Sequence, residues 1–181
     1  MTLIDTVDII ERNKVFSTPW FDVVAKILSE GNPNAPYYSL EMSDYVSVVA
    51  LTEAQEILLV RQYRPTVERY TLELPSGHLE GGESPEDTAK RELLEETGYQ
   101  ATAVELLGCL IPDTGRLSNK LWCYLATDVT LSSPNPVLEA GIELVVCSQE
   151  DLVNYILQQQ FDHALHLAPI LLAMLKGRLR F

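Results

Sequence analysis

Glu92, Glu95 and Glu96 are three carboxylates spaced so that one face of a helix would carry them all. At about 100° per residue, their side chains fall within an arc of roughly 100°. Neighbouring carboxylates repel each other, and the formal net charge of −13 adds to the repulsion. A bound Mg²⁺ would relieve it, because this ion takes oxygen ligands from carboxylates, water and phosphate. The spacing therefore indicates a metal site, although a solvated acidic helix face would show the same pattern.

A glycine-rich turn comes directly before the acidic segment. It contains Gly77, Gly81 and Gly82, and glycine lets a backbone approach a ligand closely. A phosphate site needs backbone groups of this kind beside the metal-binding carboxylates. The combination favours a metal and phosphate site over a solvated helix face.

The helix that carries the carboxylates has recognisable signals at both ends. Ser84 is a favourable helix cap, Pro85 suits the first helical position, and acidic residues follow where the helix dipole favours them. Gly98 is a C-terminal stop. We therefore predict a helix from Pro85 to about Thr97.

The remaining elements indicate a mixed α/β domain over residues 43–181. Apolar runs predict strands at 46–51, 57–60, 70–74, 104–110, 120–128 and 142–147. Two more helices are predicted at 150–158 and 163–179, the second with His163 and His166 on its surface. Residues 1–42 are too short to fold alone and are expected to form an N-terminal antiparallel β region. Strands alternating with three helices imply a layered domain.

The composition argues against several classes of function. The chain has 13 basic and 26 acidic residues, which disfavours binding to nucleic acid and to anionic membrane surfaces. No segment approaches the ~18 consecutive apolar residues of a membrane span. Cys109, Cys123 and Cys147 lie in apolar runs, so we expect buried free thiols and a cytoplasmic location.

The glycine turn and the acidic helix together resemble the signature of the Nudix hydrolase family. All the fixed positions of that signature are present, as Gly77, Glu83, Arg91-Glu92, Glu95-Glu96 and Gly98. Tyr99 departs from it, since an aliphatic residue is usual there. The upstream segments 60–65 and 72–77 are similar to the ADP-ribose and nucleotide-sugar pyrophosphatase branch. The resemblance extends over roughly residues 43–181.

The resemblance implies a Nudix fold, in which a mixed β-sheet lies between helices. It also implies Mg²⁺-dependent hydrolysis, with Mn²⁺ as the alternative ion, of the diphosphate bond in a nucleoside diphosphate sugar. ADP-ribose, cleaved to AMP and ribose 5-phosphate, is the leading candidate substrate. GDP-mannose and UDP-glucose are alternatives, and a non-catalytic nucleotide-sugar sensor is another. Related enzymes form dimers through the N-terminal region, so a homodimer is expected.

The resemblance also assigns metal-binding and catalytic roles to the matching residues. The metal ligands would be Glu92, Glu95, Glu96 and the carbonyl of Ser76. Arg91 and Glu83 would brace the turn against the helix. The general base would come from the loop before the last strand, with Glu139 as the first candidate and Glu143 as the second.

Substrate contacts are expected outside the signature. By the resemblance Arg64 would bind a phosphate, because its planar guanidinium matches phosphate oxygens. Trp20 would stack on the nucleobase from the partner subunit, unless it belongs to the core. The polar loop 112–119 would lie near the sugar and contact it through Arg116, Ser118 and Asn119, unless it is an ordinary polar hairpin.

Overall fold

The computed structural model describes residues 7–180, which form two compact units. The first, here called the N-terminal unit, contains the described residues up to Ser43 together with Ile111–Lys120. The second, here called the larger unit, contains Asp44–Leu110 and the described residues from Leu121 onward. The loop at 111–120, which the sequence placed in the second domain, thus groups with the N-terminal strands. The dimerisation role of residues 1–42 stays a prediction.

The N-terminal unit contains an antiparallel sheet of three strands, in the order β1 (Ile9–Ser17), β2 (Asp22–Leu28) and β3 (Tyr37–Glu41). Thr18 closes the first turn, since its Oγ1 donates to the Phe21 carbonyl and accepts the Phe21 N–H. A parallel bridge joins Leu40 of β3 to Leu117. Every residue of β1 is exposed. The predicted N-terminal antiparallel β region is confirmed.

The larger unit contains an eight-stranded mixed sheet. Its main path is β11-β5-β4-β10-β8, with β6 paired to β5, β7 to β4 and β9 to β10. The β4–β10 pairing is parallel and the others are antiparallel. The strands are β4 (Tyr45–Thr52), β5 (Ile57–Arg64), β6 (Arg69–Glu73), β7 (Ser76–His78), β8 (Tyr99–Gln100), β9 (Glu105–Leu110), β10 (Leu121–Leu131) and β11 (Ile142–Cys147). The helices are α1 (Pro85–Thr97), α2 (Gln149–Leu157) and α3 (Ala164–Leu175).

Alternation along β4 divides the core of the larger unit between the two faces of the sheet. Val46 and Val48 belong to a cluster with residues of α1, including Leu93. Val49 and Leu51 belong to a second cluster with residues of α2 and α3, including Leu152, Ile170 and Ala173. The sheet therefore lies between α1 on one face and the other two helices on the opposite face. This confirms the predicted fold class, a mixed sheet between helices.

The helix ends follow local sequence signals. The first helix spans the predicted residues. The second begins one residue before the predicted start, because Ser148 and Asp151 form a capping box. The third is shorter than predicted and ends at Leu175, just before a left-handed turn at Gly177 with φ 68°. None of the described helices is long and apolar enough to cross a membrane.

The cysteines are free, but they are not all buried. Cys123 and Cys147 are buried, as predicted. The prediction was wrong for Cys109, which is exposed because β9 is an edge strand that pairs with β10 alone. Burial raises the pKa of the Cys123 and Cys147 thiols to about 12, so both stay protonated.

Candidate active site

Glu92 and Glu96 lie one turn apart on α1 and are both buried, with exposed fractions of 8% and 4%. The helix that holds them is fixed at both ends. Ser84 caps the first turn, and Gly98 closes the last one in a left-handed conformation with φ 74°. Glu95 shares the helix but is exposed, with 49% of its side chain accessible. Of the three predicted carboxylates, α1 therefore buries two and leaves one at the surface.

The Ser76-Gly77 turn packs directly on these buried carboxylates. The Ser76 N–H donates to Glu96 Oε2 at 2.8 Å. A Cβ atom at Gly77 would lie 1.9 Å from Glu92 Oε1, so only glycine fits there without displacement. The glycine turn and the acidic helix meet, as the sequence led us to expect.

The positive charge near Glu92 and Glu96 does not offset the cost of burying their carboxylates. Burial raises the pKa of Glu96 to about 8; the Ser76 N–H opposes this, and the Glu92 and Glu139 carboxylates add to it. Burial also raises the pKa of Glu92, against the effect of Arg91. Paired buried carboxylates either take up a proton or bind a cation. Because their ligand atoms are all oxygens, the set fits a hard divalent ion.

Arg91 braces the turn against α1. Its Nε and Nη2 bind the two oxygens of Glu83 at 3.0 Å each. Its Nη1 donates to Glu92 at 2.9 Å and to Glu95 at 3.0 Å. These ion pairs raise the pKa of Arg91 and lower that of Glu83. The contacts match the bracing role that the resemblance implied.

Glu139 lies in the loop between β10 and β11, which is attached to the end of α1. Its N–H donates to the Glu95 carbonyl at 3.0 Å, and the Ser132 N–H donates to the Gly98 carbonyl at 2.9 Å. The charge of the Glu139 carboxylate also contributes to the raised pKa of both buried glutamates. The loop therefore brings a further carboxylate to the edge of the cluster.

Glu143 is in a different environment from Glu139. It pairs with Arg61 across the β11–β5 ladder, with 2.7 Å between Glu143 Oε2 and Arg61 Nη1. The Arg61 guanidinium also lies 3.9 Å from the centre of the Tyr70 ring. Glu143 thus has a cation partner on the exposed surface of the sheet, and its side chain is 61% accessible.

The signature residues lie within a longer match to known proteins. A sequence model of the NUDIX domain family matches residues 43–169. The chain belongs to the Nudix family. The match covers the Ser76-Gly77 turn, α1, Glu139 and most of the sheet, and it confirms the predicted class of hydrolase.

Individual Nudix relatives agree with this assignment. An ADP-ribose pyrophosphatase of Bacillus subtilis is 29% identical over 150 residues, which are 81% of each chain. An ADP-sugar pyrophosphatase of Mus musculus is 43% identical over 81 residues, 42% of this chain and 37% of that protein. A crystal structure of an ADP compounds hydrolase superposes with a TM-score of 0.78 at 22% identity, covering 99% of this chain and 100% of the other. The last likeness supports the Nudix fold.

Arg64 lies beside the Ser76-Gly77 turn, here called the Nudix turn, and is held by Glu73. Its Nε and Nη2 bind the two Glu73 oxygens at 2.8 and 2.6 Å, and Thr71 Oγ1 donates to Glu73 at 2.6 Å. Burial opposes ionisation of Glu73, but the hydrogen bonds from Arg64 and Thr71 outweigh it and lower the pKa of Glu73 to about 2. Sequence reasoning missed Glu73. The available signal was a charged residue between Leu72 and Leu74 in a predicted buried strand.

His166 is buried, so the prediction of a surface position was wrong. It is 4% exposed, and its Nδ1 accepts the Leu74 N–H at 3.0 Å. His163 is the residue that precedes α3, and its ring stacks on that of His166 with the centroids 4.1 Å apart. The surface prediction failed because α3 is apolar on most sides and packs against the sheet, as Leu165 and Leu167 beside His166 indicate.

A cavity of about 710 Å³ adjoins the Nudix turn within the larger unit. The β5–β6 hairpin, β7 and the start of α3 enclose it. Its lining includes Arg64, Glu73, Ser76, Gly77 and His163. The cavity is large enough for a sugar or a phosphate group and reaches the turn that packs on the buried carboxylates of α1.

The other predicted substrate contacts belong to the N-terminal unit. Trp20 is 73% exposed and is therefore not a core residue of the described chain. Arg116 is also exposed. Ser118 Oγ donates to the Leu40 carbonyl at 3.2 Å. Asn119 is buried, and its Nδ2 donates to the Ser43 carbonyl at 3.1 Å. The last two side chains thus have partners within their own unit.

Proposed function

We propose that the protein hydrolyses the diphosphate bond of an ADP sugar, and that ADP-ribose, cleaved to AMP and ribose 5-phosphate, is its substrate. The observation that carries the proposal is the pair of buried carboxylates, Glu92 and Glu96, packed against the Ser76-Gly77 turn. The names of the Bacillus and mouse relatives support the ADP-sugar class. Mg²⁺ is the proposed ion, with Mn²⁺ as the alternative.

The metal would be held by Glu92, Glu96, the Ser76 carbonyl and, at the surface, Glu95. A divalent ion bound there would offset the charge of the diphosphate and activate water for attack on phosphorus. Arg91 holds two of these carboxylates in place through hydrogen bonds of 2.9 and 3.0 Å. Arg91 thereby orients the carboxylates that would bind the metal before the substrate arrives.

Glu139 is the proposed general base, and it takes the proton from the attacking water. Its attachment to α1 and its electrostatic effect on the buried glutamates support this choice. Glu143 is less suitable because Arg61 already binds its carboxylate. We therefore favour Glu139 over Glu143.

Arg64 is the proposed phosphate ligand, because it lines the cavity beside the Nudix turn. Glu73 accepts from Nε and Nη2, which leaves both N–H groups of Nη1 and the second one of Nη2 for substrate oxygens. The remaining contacts, from Arg116, Ser118 and Asn119, are proposed as sugar or phosphate contacts on the basis of the family resemblance alone.

We also propose a homodimer formed through the N-terminal unit. Its surface carries exposed apolar side chains, among them Ile10 at 67%, Phe16 at 60% and Trp20 at 73%. Apolar side chains exposed together are typical of a protein interface. A second copy of the chain would cover them, and Trp20 would then stack on the nucleobase bound by the partner. The free buried thiols favour a reducing compartment, so we propose the cytoplasm.

The proposed activity is tested by initial rates on ADP-ribose, GDP-mannose and UDP-glucose with Mg²⁺ and then with Mn²⁺. We expect ADP-ribose to give the highest kcat/KM, with AMP and ribose 5-phosphate as products. Glu96→Gln should abolish most turnover, whereas Glu86→Gln, an exposed change on the same helix, should not. If no diphosphate sugar is hydrolysed, or if Glu96→Gln turns over normally at saturating Mg²⁺, the proposal is wrong.

A further inference from the structure

Glu73, His163 and His166 form a cluster beside the cavity in the larger unit. One ligand atom of each lies within 4.8 Å of the other two, as in many metal sites. Arg64, however, already binds both oxygens of Glu73. The two imidazole rings are stacked with only 23° between their planes. Because the nitrogen lone pairs lie in the ring planes, an ion close to both stacked rings would lie outside the plane of at least one of them, which disfavours metal binding by the cluster.

We propose that His166 and Glu73 are positioning residues for the reaction, an inference that rests on the proposed function. His166 fixes the backbone at Leu74, two residues before the Ser76 carbonyl. Glu73 fixes the guanidinium of Arg64. The side chain of Glu73 thus holds the proposed phosphate-binding arginine. The backbone of the next residue, Leu74, links His166 to the proposed metal-binding turn.

The backbone from Leu74 to Ser76 is held by both backbone and side-chain hydrogen bonds. Leu74 and Pro75 lie between the end of β6 and the start of β7, and Ser76 is the first residue of β7, where it pairs with Ser47 of β4. Pro75 has no N–H group, and its carbonyl accepts the Val48 N–H at 2.9 Å. The two N–H groups of the segment, at Leu74 and Ser76, both donate to side chains, of His166 and Glu96 respectively.

The two side chains that hold this segment, His166 and Glu96, differ in their relation to the proposed metal. Glu96 is a proposed metal ligand, so its environment changes when the ion binds. The imidazole of His166 is not a ligand and stays in place on α3. His166 is therefore a side-chain anchor that acts beside the backbone bond from Val48 to Pro75 and is retained whether or not the ion is present.

Arg64 is likewise held in place by a side chain, the carboxylate of Glu73. Its ion pair with Glu73 is bidentate, which fixes the plane of the guanidinium as well as its position. Thr71 donates to Glu73 and holds the carboxylate in turn. A phosphate would meet an arginine that has already lost its rotational freedom, which lowers the entropy lost on binding.

Two substitutions at His166 test the inference. His166→Asn keeps an acceptor oxygen near the position of Nδ1, whereas His166→Leu fills the space without an acceptor. We expect His166→Leu to lower kcat on ADP-ribose by roughly 10- to 100-fold, with a smaller change in KM, because the turn is misplaced. It should also weaken Mn²⁺ binding to the carboxylate cluster of the substrate-free protein. His166→Asn should restore both quantities to within about threefold.

Leu171→Ala, an exposed change on the same helix, is the matched control. It should leave kcat and Mn²⁺ binding unchanged even if it lowers the Tm. A loss of activity in His166→Asn equal to that in His166→Leu would indicate a merely structural role and overturn the inference. So would unchanged kcat and Mn²⁺ binding in His166→Leu.

The hydrogen bond itself can be observed by NMR in the unmodified protein. We expect the Nδ1 atom of His166 to be unprotonated and to show a coupling to the Leu74 amide nitrogen across the hydrogen bond. A protonated Nδ1, or ¹⁵N shifts of His163 and His166 that titrate with one equivalent of Zn²⁺, would overturn the inference. If the protein hydrolyses no diphosphate sugar, the proposed function fails, while Mn²⁺ binding and the coupling still test the positioning role.

Discussion

Gly77 and Glu92 lie so close together that no side chain fits between them. A Cβ atom at Gly77 would lie 1.9 Å from one Glu92 oxygen and 2.6 Å from the other. Gly77 is not among the residues with positive φ, so it is needed for space and not for backbone freedom. The turn therefore reaches the buried carboxylates only because this residue has no side chain.

Gly77→Ala should displace the Glu92 carboxylate and weaken metal binding. We expect kcat to fall by roughly 100-fold, because small displacements of reacting groups have effects of this size. Steady-state kinetics and Mn²⁺ titration would measure both effects. Gly81→Ala is the control, since a Cβ there meets no atom within 4 Å. Equal activity of the two variants would show that Glu92 tolerates the added methyl group.

Glu139→Gln should lower kcat by about 10²- to 10⁴-fold with little change in KM, as expected for loss of a general base. The reason is that the amide cannot accept the proton of the attacking water. Glu143→Gln should have only a small effect, because its carboxylate pairs with Arg61. Steady-state rates of both variants at saturating Mg²⁺ discriminate the candidates. The opposite result would assign the base to Glu143.

Glu73→Gln should destabilise the fold by about 2–3 kcal/mol near neutral pH, since it removes the charge that Arg64 and Thr71 stabilise. The pKa of Glu73 is lowered from 4.5 to about 2. Its contribution is therefore fully present above pH 4.5 and is lost as the pH falls towards 2. Urea unfolding across this range, beside the exposed control Glu53→Gln, measures it. A stability difference that does not shrink with acid would contradict the prediction.

His166 should make the protein less stable in mild acid. Burial, with the added effect of His163 and Arg64 and against the effect of Glu73, lowers its pKa from 6.5 to about 3. The unfolded chain takes up a proton below pH 6.5 that the folded chain does not. Stability should thus fall by about 1.4 kcal/mol per pH unit from pH 6.5 towards 3 through this residue alone. His166→Asn should remove that part of the slope in urea unfolding, and an unaltered slope would show that another group is responsible.

Local signals were sufficient to predict the helix that carries the buried carboxylates. Ser84, Pro85 and Gly98 define its ends within the sequence itself, and the structure has the same boundaries. The mixed sheet between helices and the family also followed from patterns of nearby residues. That Glu95 is exposed while its two neighbours are buried was not predictable, because an arc of about 100° includes both the edge and the centre of the buried face.

The contacts that hold the Ser76-Gly77 turn in place could not be predicted, because they join distant parts of the chain. The hydrogen bond from Leu74 to His166 spans 92 residues. A histidine three residues from another on an apolar helix gives no local sign of its partner. The grouping of residues 111–120 with the N-terminal strands depends on equally distant contacts, such as Leu40 with Leu117.

The loop that carries Glu139 bonds to α1 through both Ser132 and Glu139. Of the six residues between these attachments, Pro136 and Leu138 lie against Gly98, which ends α1. Substitution of Pro136 would therefore disturb both the close of the helix and the start of the segment that leads to the proposed base.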